Sequence, residues 1–208
     1  MRPDCSAAEA GMVGALGRDS REQRDGDKVV IETPRLILRE WRDEDSAPFK
    51  FHLNTPTVMR WLGGIQSDAE FDAFVARNRA CAASHGHCFW IAERKSDRAI
   101  LGFCGLKRVN SDGASNVGDH EIGWRLREDA QGLGYAREAA EATLSAAFHR
   151  FGAPHVVAFT VAENAASWGL MQRLGMVRAR DLDFTGGFAG GGSEHIIVYR
   201  IDKEDWTT

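Results

Sequence analysis

Gln131-Gly132-Leu133-Gly134-Tyr135-Ala136 stands between a stretch of alternating residues, Glu121 to Leu126, and an alanine-rich run that reaches Phe151. The order is strand, glycine loop, helix. A helix start carries unpaired main-chain N–H groups and the positive end of a dipole, which suits a phosphate or diphosphate. Glycines at 132 and 134 permit backbone conformations and close approaches that a Cβ would hinder, and the small Ala136 keeps the path to the helix start clear. Two familiar phosphate loops do not fit. A Walker-type loop ends in Gly-Lys-Ser/Thr, whereas this one ends in Gly134-Tyr135-Ala136. A dinucleotide fingerprint beginning at Gly132 needs Gly or Ala at position 137, where Arg137 stands, and it opens from a first strand rather than from deep inside the chain.

A second group with chemical potential precedes the loop. Period-two alternation puts Ile122, Trp124 and Leu126 on one face of a strand and Glu121, Gly123 and Arg125 on the other. Glu121 on that polar face reads either as a base facing a cleft or as one half of an ion pair. Asn164-x-x-Ser167 follows the next strand, and Asn164 reads as a helix N-cap. His85, His87 and His120 have no metal-ligand spacing with carboxylates and read as surface or loop residues. Cys5, Cys81, Cys88 and Cys104 show no C-x-x-C pair and no pairing with histidines, so reduced thiols are expected, with no metal.

The elements that must hold these residues can be read from period and punctuation. Residues 1–28 lack a lasting period and read as a flexible tail, partly helical around Ser6–Leu16; residues 29–208 read as one domain. Arg35–Trp41 is a strand, and Asp43-Glu44-Asp45 caps a helix that runs to Leu53. A short helical turn follows at Thr57–Trp61, then a helix from Ser67-Asp68 with Phe71, Phe74, Val75 and Ala82 on one face. Cys88–Glu93, Ile100–Val109 and Val117–Arg127 form an antiparallel meander. Gly134–Phe151 is helical, His155–Val161 a buried strand, and Asn164–Leu174 a helix stopped by Gly175. Met176–Phe184 and His195–Ile201 close the chain as strands joined by the glycine-rich loop Gly186–Gly192. The pattern is a mixed sheet with helices on its faces.

Bulk properties narrow the field. The chain has 208 residues, 43% hydrophobic and 27% charged, with 26 Lys and Arg against 30 Asp and Glu and a formal charge of −4. That is the balance of a globular protein and lacks the basic excess of a general nucleic-acid binder. No apolar run approaches the roughly 20 residues that span a bilayer, and the charged first residues do not form a secretion signal. A cytoplasmic location, without nucleic-acid or membrane partners, is the expectation.

Gln131-x-x-Gly134-x-Ala136 resembles the Gln/Arg-x-x-Gly-x-Gly/Ala signature of the GNAT superfamily of N-acetyltransferases. Glu121-Ile122-Gly123-Trp124, Asn164-x-x-Ser167, Leu174-Gly175-Met176 and the closing His195–Trp206 segment extend the resemblance toward the branch of the ribosomal-protein alanine N-acetyltransferases (RimJ/RimL-like). It covers roughly Ile31 to Trp206. The resemblance implies an α+β fold with a mixed, mostly antiparallel seven-stranded sheet, splayed between two central strands and carrying helices on both faces. It implies acetyl-coenzyme A as cosubstrate, with the main-chain N–H groups of Gln131, Gly132, Leu133, Gly134, Tyr135 and Ala136 on its diphosphate. Trp124-Arg125-Leu126 would pair with the pantetheine arm, Asn164 would bond it, and Ser167 would lie near it.

The implied reaction moves acetyl to an amine acceptor, a protein N-terminus or a small molecule, by direct attack in a ternary complex. A free amine has a pKa near 10 and must lose a proton first, which gives Glu121 its role as base. Many GNAT enzymes carry a tyrosine after the equivalent of Asn164 to protonate the leaving thiolate. Ser167-Trp168-Gly169 has none, so either Ser167 acts through water or the thiolate leaves unaided. Trp61 and Phe188 are the expected acceptor-lining residues, Phe188 as a lid, and Trp41 is read as core. The alternative is an acyl-coenzyme A sensor or partner-binding domain without turnover. The expected assembly is a monomer or homodimer.

Overall fold

The computed structural model describes residues 29–188 and 191–207. The proposed tail, including Ser6–Leu16, lies outside them. The elements run β1 (Val29–Glu32), β2 (Leu36–Arg39), α1 (Ser46–Leu53), α2 (Pro56–Met59), α3 (Asp68–His85), β3 (Phe89–Arg94), β4 (Ile100–Arg108) and β5 (His120–Leu126). They continue with α4 (Tyr135–His149), β6 (His155–Val161), α5 (Ala165–Arg173), β7 (Val177–Arg178), β8 (Phe184–Phe188) and β9 (Gly191–Asp202). The strands form one sheet in the order β1-β2-β3-β4-β5-β6-β9-β7, with β8 also paired to β9. Every pairing is antiparallel except β5 with β6.

The sheet has nine strands rather than seven, for two local reasons. Val29–Glu32 is too short to declare itself, but Ile31 and Glu32 find register with Leu38 and Ile37. The expected strand Met176–Phe184 breaks because Arg178 and Asp183 form a two-pronged ion pair at 2.5 and 2.6 Å, closed over a 3-10 turn at Arg180–Leu182. The chain re-enters the sheet at Phe184, so Gly186 to Phe188 extend a strand instead of forming a slack loop.

Alternation places the core on both faces of the sheet. On one face α4 lays Ala139, Ala140, Leu144, Ala147 and Phe148 against Cys104, Leu106, Ile122 and Leu126. Its alanines let the helix approach the strands closely. On the other face Phe49 of α1 and Phe71 and Val75 of α3 meet Ile91 and Phe103. A separate cluster on Val157, Phe159, Val161, Phe184, Ile196 and Val198 lies beyond β5. The α4 face is thus one continuous core, and the opposite face is divided in two.

One buried polar knot ties α1 to the sheet. Arg39 of β2 is 2% exposed and grips Asp45 through Nη1 and Nη2 at 2.6 and 2.7 Å and Glu93 through Nε at 2.7 Å. The guanidinium fork matches two carboxylates, and Arg98 Nε, 2.6 Å from Glu93 Oε1, supplies the second positive charge. Trp41 is partly buried as expected, with its Nε1–H donating to the Phe89 carbonyl at 2.8 Å.

Candidate active site

β5 and β6 share only two register pairs, His120 with Val156 and Glu121 with Val157. From there β5 stays with β4 up to Leu126, while β6 follows β9 along its length. Ile122 to Leu126 therefore border a fork with no strand across it, the splay expected between these two strands. A cleft of about 1610 Å³ runs through the fork.

The far end of the fork is closed by the glycine loop. Gln131 donates from Nε2 to the Leu126 carbonyl at 2.9 Å, and its own main-chain N–H is spent on the Glu128 carbonyl at 3.1 Å. The available donors start one residue later than the sequence implies. Among the described residues, the N–H groups of Gly132 to Ala136 have no internal acceptor. Gly134 is the N-cap of α4 with φ 82°, and Gly132 has φ 72°, a region in which a Cβ is strained. These glycines turn consecutive N–H groups outward ahead of the helix.

Residues the sequence did not single out hold that turn in place. Arg35 donates from Nε to Glu138 Oε2 at 2.6 Å and from Nη1 to the Leu133 carbonyl at 3.0 Å, and its guanidinium lies 4.4 Å from the Tyr135 ring centre. Thr33 Oγ1 donates to Glu138 Oε1 at 2.6 Å. Burial pushes the Glu138 carboxyl up, but the bonds from Thr33 and Arg35 outweigh it and leave it below its ordinary value. The available clue was its place, since an acid is favoured in a first helical turn.

The cleft collects most of the predicted residues. Glu121, Trp124, Arg125 and Leu126 line it from β5, and Gln131, Gly132, Gly134 and Ala136 from the loop; Asn164 and Ser167 of the α5 start and Trp61 complete the set. Leu133 and Tyr135 turn their side chains elsewhere, Leu133 to solvent and Tyr135 under Arg35. Phe188 ends β8, and its side chain lies outside the described residues. Asn164 accepts from the Ser167 N–H at 3.3 Å, so the capping role exists. Trp61 also leans on the second apolar cluster, with Arg60 stacked 4.5 Å from its ring centre.

Glu121 sits in the crotch of the fork, 6% exposed. Burial raises its pKa, partly opposed by Lys107, whose Nζ is 3.0 Å from Oε2. Both earlier readings of Glu121 thus coexist in the geometry, an ion pair and a carboxylate facing the cleft. His87 and His120, expected at the surface, are buried at 2% and 4% with rings 5.4 Å apart. Burial, reinforced by Arg108, pushes His120 down to about 4. Among the described residues no cluster of His, Cys, Asp and Glu could hold a metal.

The sequence profile of the acetyltransferase (GNAT) domain matches residues 35–177. The chain belongs to the GNAT acetyltransferases. The uncharacterized protein YkkB of Bacillus subtilis is 30% identical over 150 residues, covering 72% of this chain and 86% of that protein. The fold is shared with Mycobacterium smegmatis RimJ in complex with CoA-disulfide, at TM-score 0.67 and 17% identity over 83% of this chain and 84% of that one. It is also shared with the spermidine N-acetyltransferase of Vibrio cholerae in complex with CoA and spermine, at TM-score 0.64 and 16% identity over 82% and 97%. A GNAT acetyltransferase draws its acetyl group from acetyl-coenzyme A. In this one the matched segment contains the whole fork, the loop and α5, while β8, Phe188 and β9 fall beyond it.

Proposed function

We propose that the chain acetylates a primary amine, with the acceptor attacking acetyl-coenzyme A directly in a ternary complex. The supporting observation is the parting of β5 from β6 beside a helix start whose N–H groups are free, with Glu121 at the point of parting. The residues fit the cosubstrate. Gly132 to Ala136 offer main-chain donors for a diphosphate, the open edge of Trp124, Arg125 and Leu126 offers strand-like pairing for an amide-bearing arm, and Arg137 and Arg173 add positive charge on the cleft wall. When bound, acetyl-coenzyme A supplies an activated acetyl group as a thioester.

The chain's own groups supply the rest. Glu121 takes a proton from the ammonium form of the acceptor, directly or across one water, and its raised pKa makes it a stronger base than an ordinary carboxylate. A main-chain N–H on the fork side of β5, between Gly123 and Leu126, polarises the carbonyl under attack. Asn164 caps α5 and orients Ser167 beside the arm. Neither tyrosine lines the cleft, so the leaving sulfur has no phenol beside it among the described residues. That feature favours a second reading, an acyl-coenzyme A sensor. The acceptor is a protein N-terminus or a small molecule, and the location is the cytoplasm; no described helix is long and apolar enough to cross a membrane. An amine panel with acetyl-coenzyme A, followed by free-thiol release, tests transfer. Binding without thiol release for every amine would leave the sensor.

A further inference from the structure

The chain buries two arginines in opposite ways. Arg39 is saturated by Asp45 and Glu93. Arg125 is 7% exposed and has no such partner among the described residues. Its guanidinium carbon lies 4.9, 5.1 and 5.3 Å from the ring centres of Phe74, Phe103 and Phe49. Nη1 meets only the thioether of Met59, at 2.7 Å, and Nε meets nothing. Aromatic faces and a thioether return part of the lost hydration of a cation but not the hydrogen bonds of a guanidinium fork. A buried polar group in this condition points to a partner that arrives from outside.

The partner has a direction of approach, because Arg125 lines the cleft and shares the α3-side face of β5 with Glu121 and Gly123. The charge around it has a sign. Lys107 and Glu121 cancel as a pair, and Arg60, Arg77 and Arg108 line the cleft against Glu70 and Asp112, with Arg125 itself a further positive charge. A polycationic acceptor such as a polyamine would meet repulsion there, and an anionic group would be drawn in. Resting on the amine transfer proposed above, we infer that the acceptor is a small amine that also bears a carboxylate, held by the Arg125 fork while its amine faces Glu121. The main chain of Arg125 stays on the cofactor edge, and its side chain is a substrate-binding group.

The test compares acids with matched amides on the full chain. Glycine, β-alanine, 4-aminobutyrate and 6-aminohexanoate, each beside its carboxamide and with spermidine as the cationic control, are assayed by thiol release from acetyl-coenzyme A. The same compounds are titrated calorimetrically into the coenzyme A-loaded protein. At least one acid should exceed its amide by about 10- to 100-fold in kcat/KM, chiefly through KM, as expected for a charge-assisted bond. R125M should bring the ratio near one while the melting shift given by acetyl-coenzyme A persists, and R125K should keep part of the ratio. Equal use of acids and amides, or a ratio unchanged in R125M, overturns the inference and leaves amine transfer standing. Should R125M not fold, R125K and the ratio in the unaltered protein decide. Acids that bind in preference to amides without any thiol release uphold the Arg125 site and sink transfer instead. No binding and no turnover for every acid overturns the inference.

Discussion

Glu121 and Val157 are the last register partners that β5 and β6 share. One step further the main-chain edge of β5 is open, so the carboxylate stands where the sheet changes from closed to forked. The placement joins two requirements. Burial at the crotch raises the basicity of Glu121, and the cleft opens beside it.

Glu121→Gln should lower kcat by about 100-fold or more with a small change in the KM for acetyl-coenzyme A, the signature of a lost base. The sign of the pH effect follows from the raised pKa. The base must be ionised, so activity in the parent falls as pH drops through a value above the ordinary carboxylate range, and E121Q should lose that limb. Stability moves the other way. Burial favours the protonated form, so the contribution of Glu121 is full below its unfolded pKa and is lost as pH rises through the folded one. E121Q should therefore melt no lower than the parent at pH 8. A normal kcat in the variant would remove the base role.

Gly134→Glu should abolish binding of acetyl-coenzyme A while leaving the far-ultraviolet circular dichroism unchanged. The new side chain must take φ near 82° and would bring a carboxylate to the diphosphate position, with only Arg35 Nη2 within reach of its Cβ, at 3.3 Å. Calorimetric titration of the folded variant checks it; retained affinity would move the cradle elsewhere.

Arg39→Met should destabilise the protein by about 3–5 kcal/mol in chemical denaturation, because it leaves the buried Asp45 without its guanidinium partner and Glu93 with Arg98 alone. A loss below about 1 kcal/mol would mean that Asp45 and Glu93 are solvated or protonated without it.

What the sequence revealed about this fold was local. The glycine loop, α4 and the alternation in β5 are contiguous and carry their own period, so the helix start could be anticipated from Glu121 to Phe151, whereas the fork with β6 came only from the resemblance to the GNAT family. Devices closed through space were invisible. Arg35 and Thr33 reach Glu138 across more than a hundred residues. The cage around Arg125 takes Phe49 from α1, Phe74 from α3 and Phe103 from β4, and no window along the chain holds all three. The single strand expected over Met176–Phe184 failed because the pair Arg178–Asp183 stabilises a turn whose residues, read alone, still look extended. The burial of His87 and His120 was hidden for the same reason, since their shielding comes from each other and from Phe151.

The turn after β5 is proposed to wrap its main-chain amides around the diphosphate of acetyl-coenzyme A. Thermal unfolding with and without the ligand measures it most directly. At about a hundredfold excess over Kd the melting temperature should rise by roughly 5 to 10 °C, and the rise should vanish in Gly134→Glu. An unmoved melting temperature at millimolar acetyl-coenzyme A would contradict it.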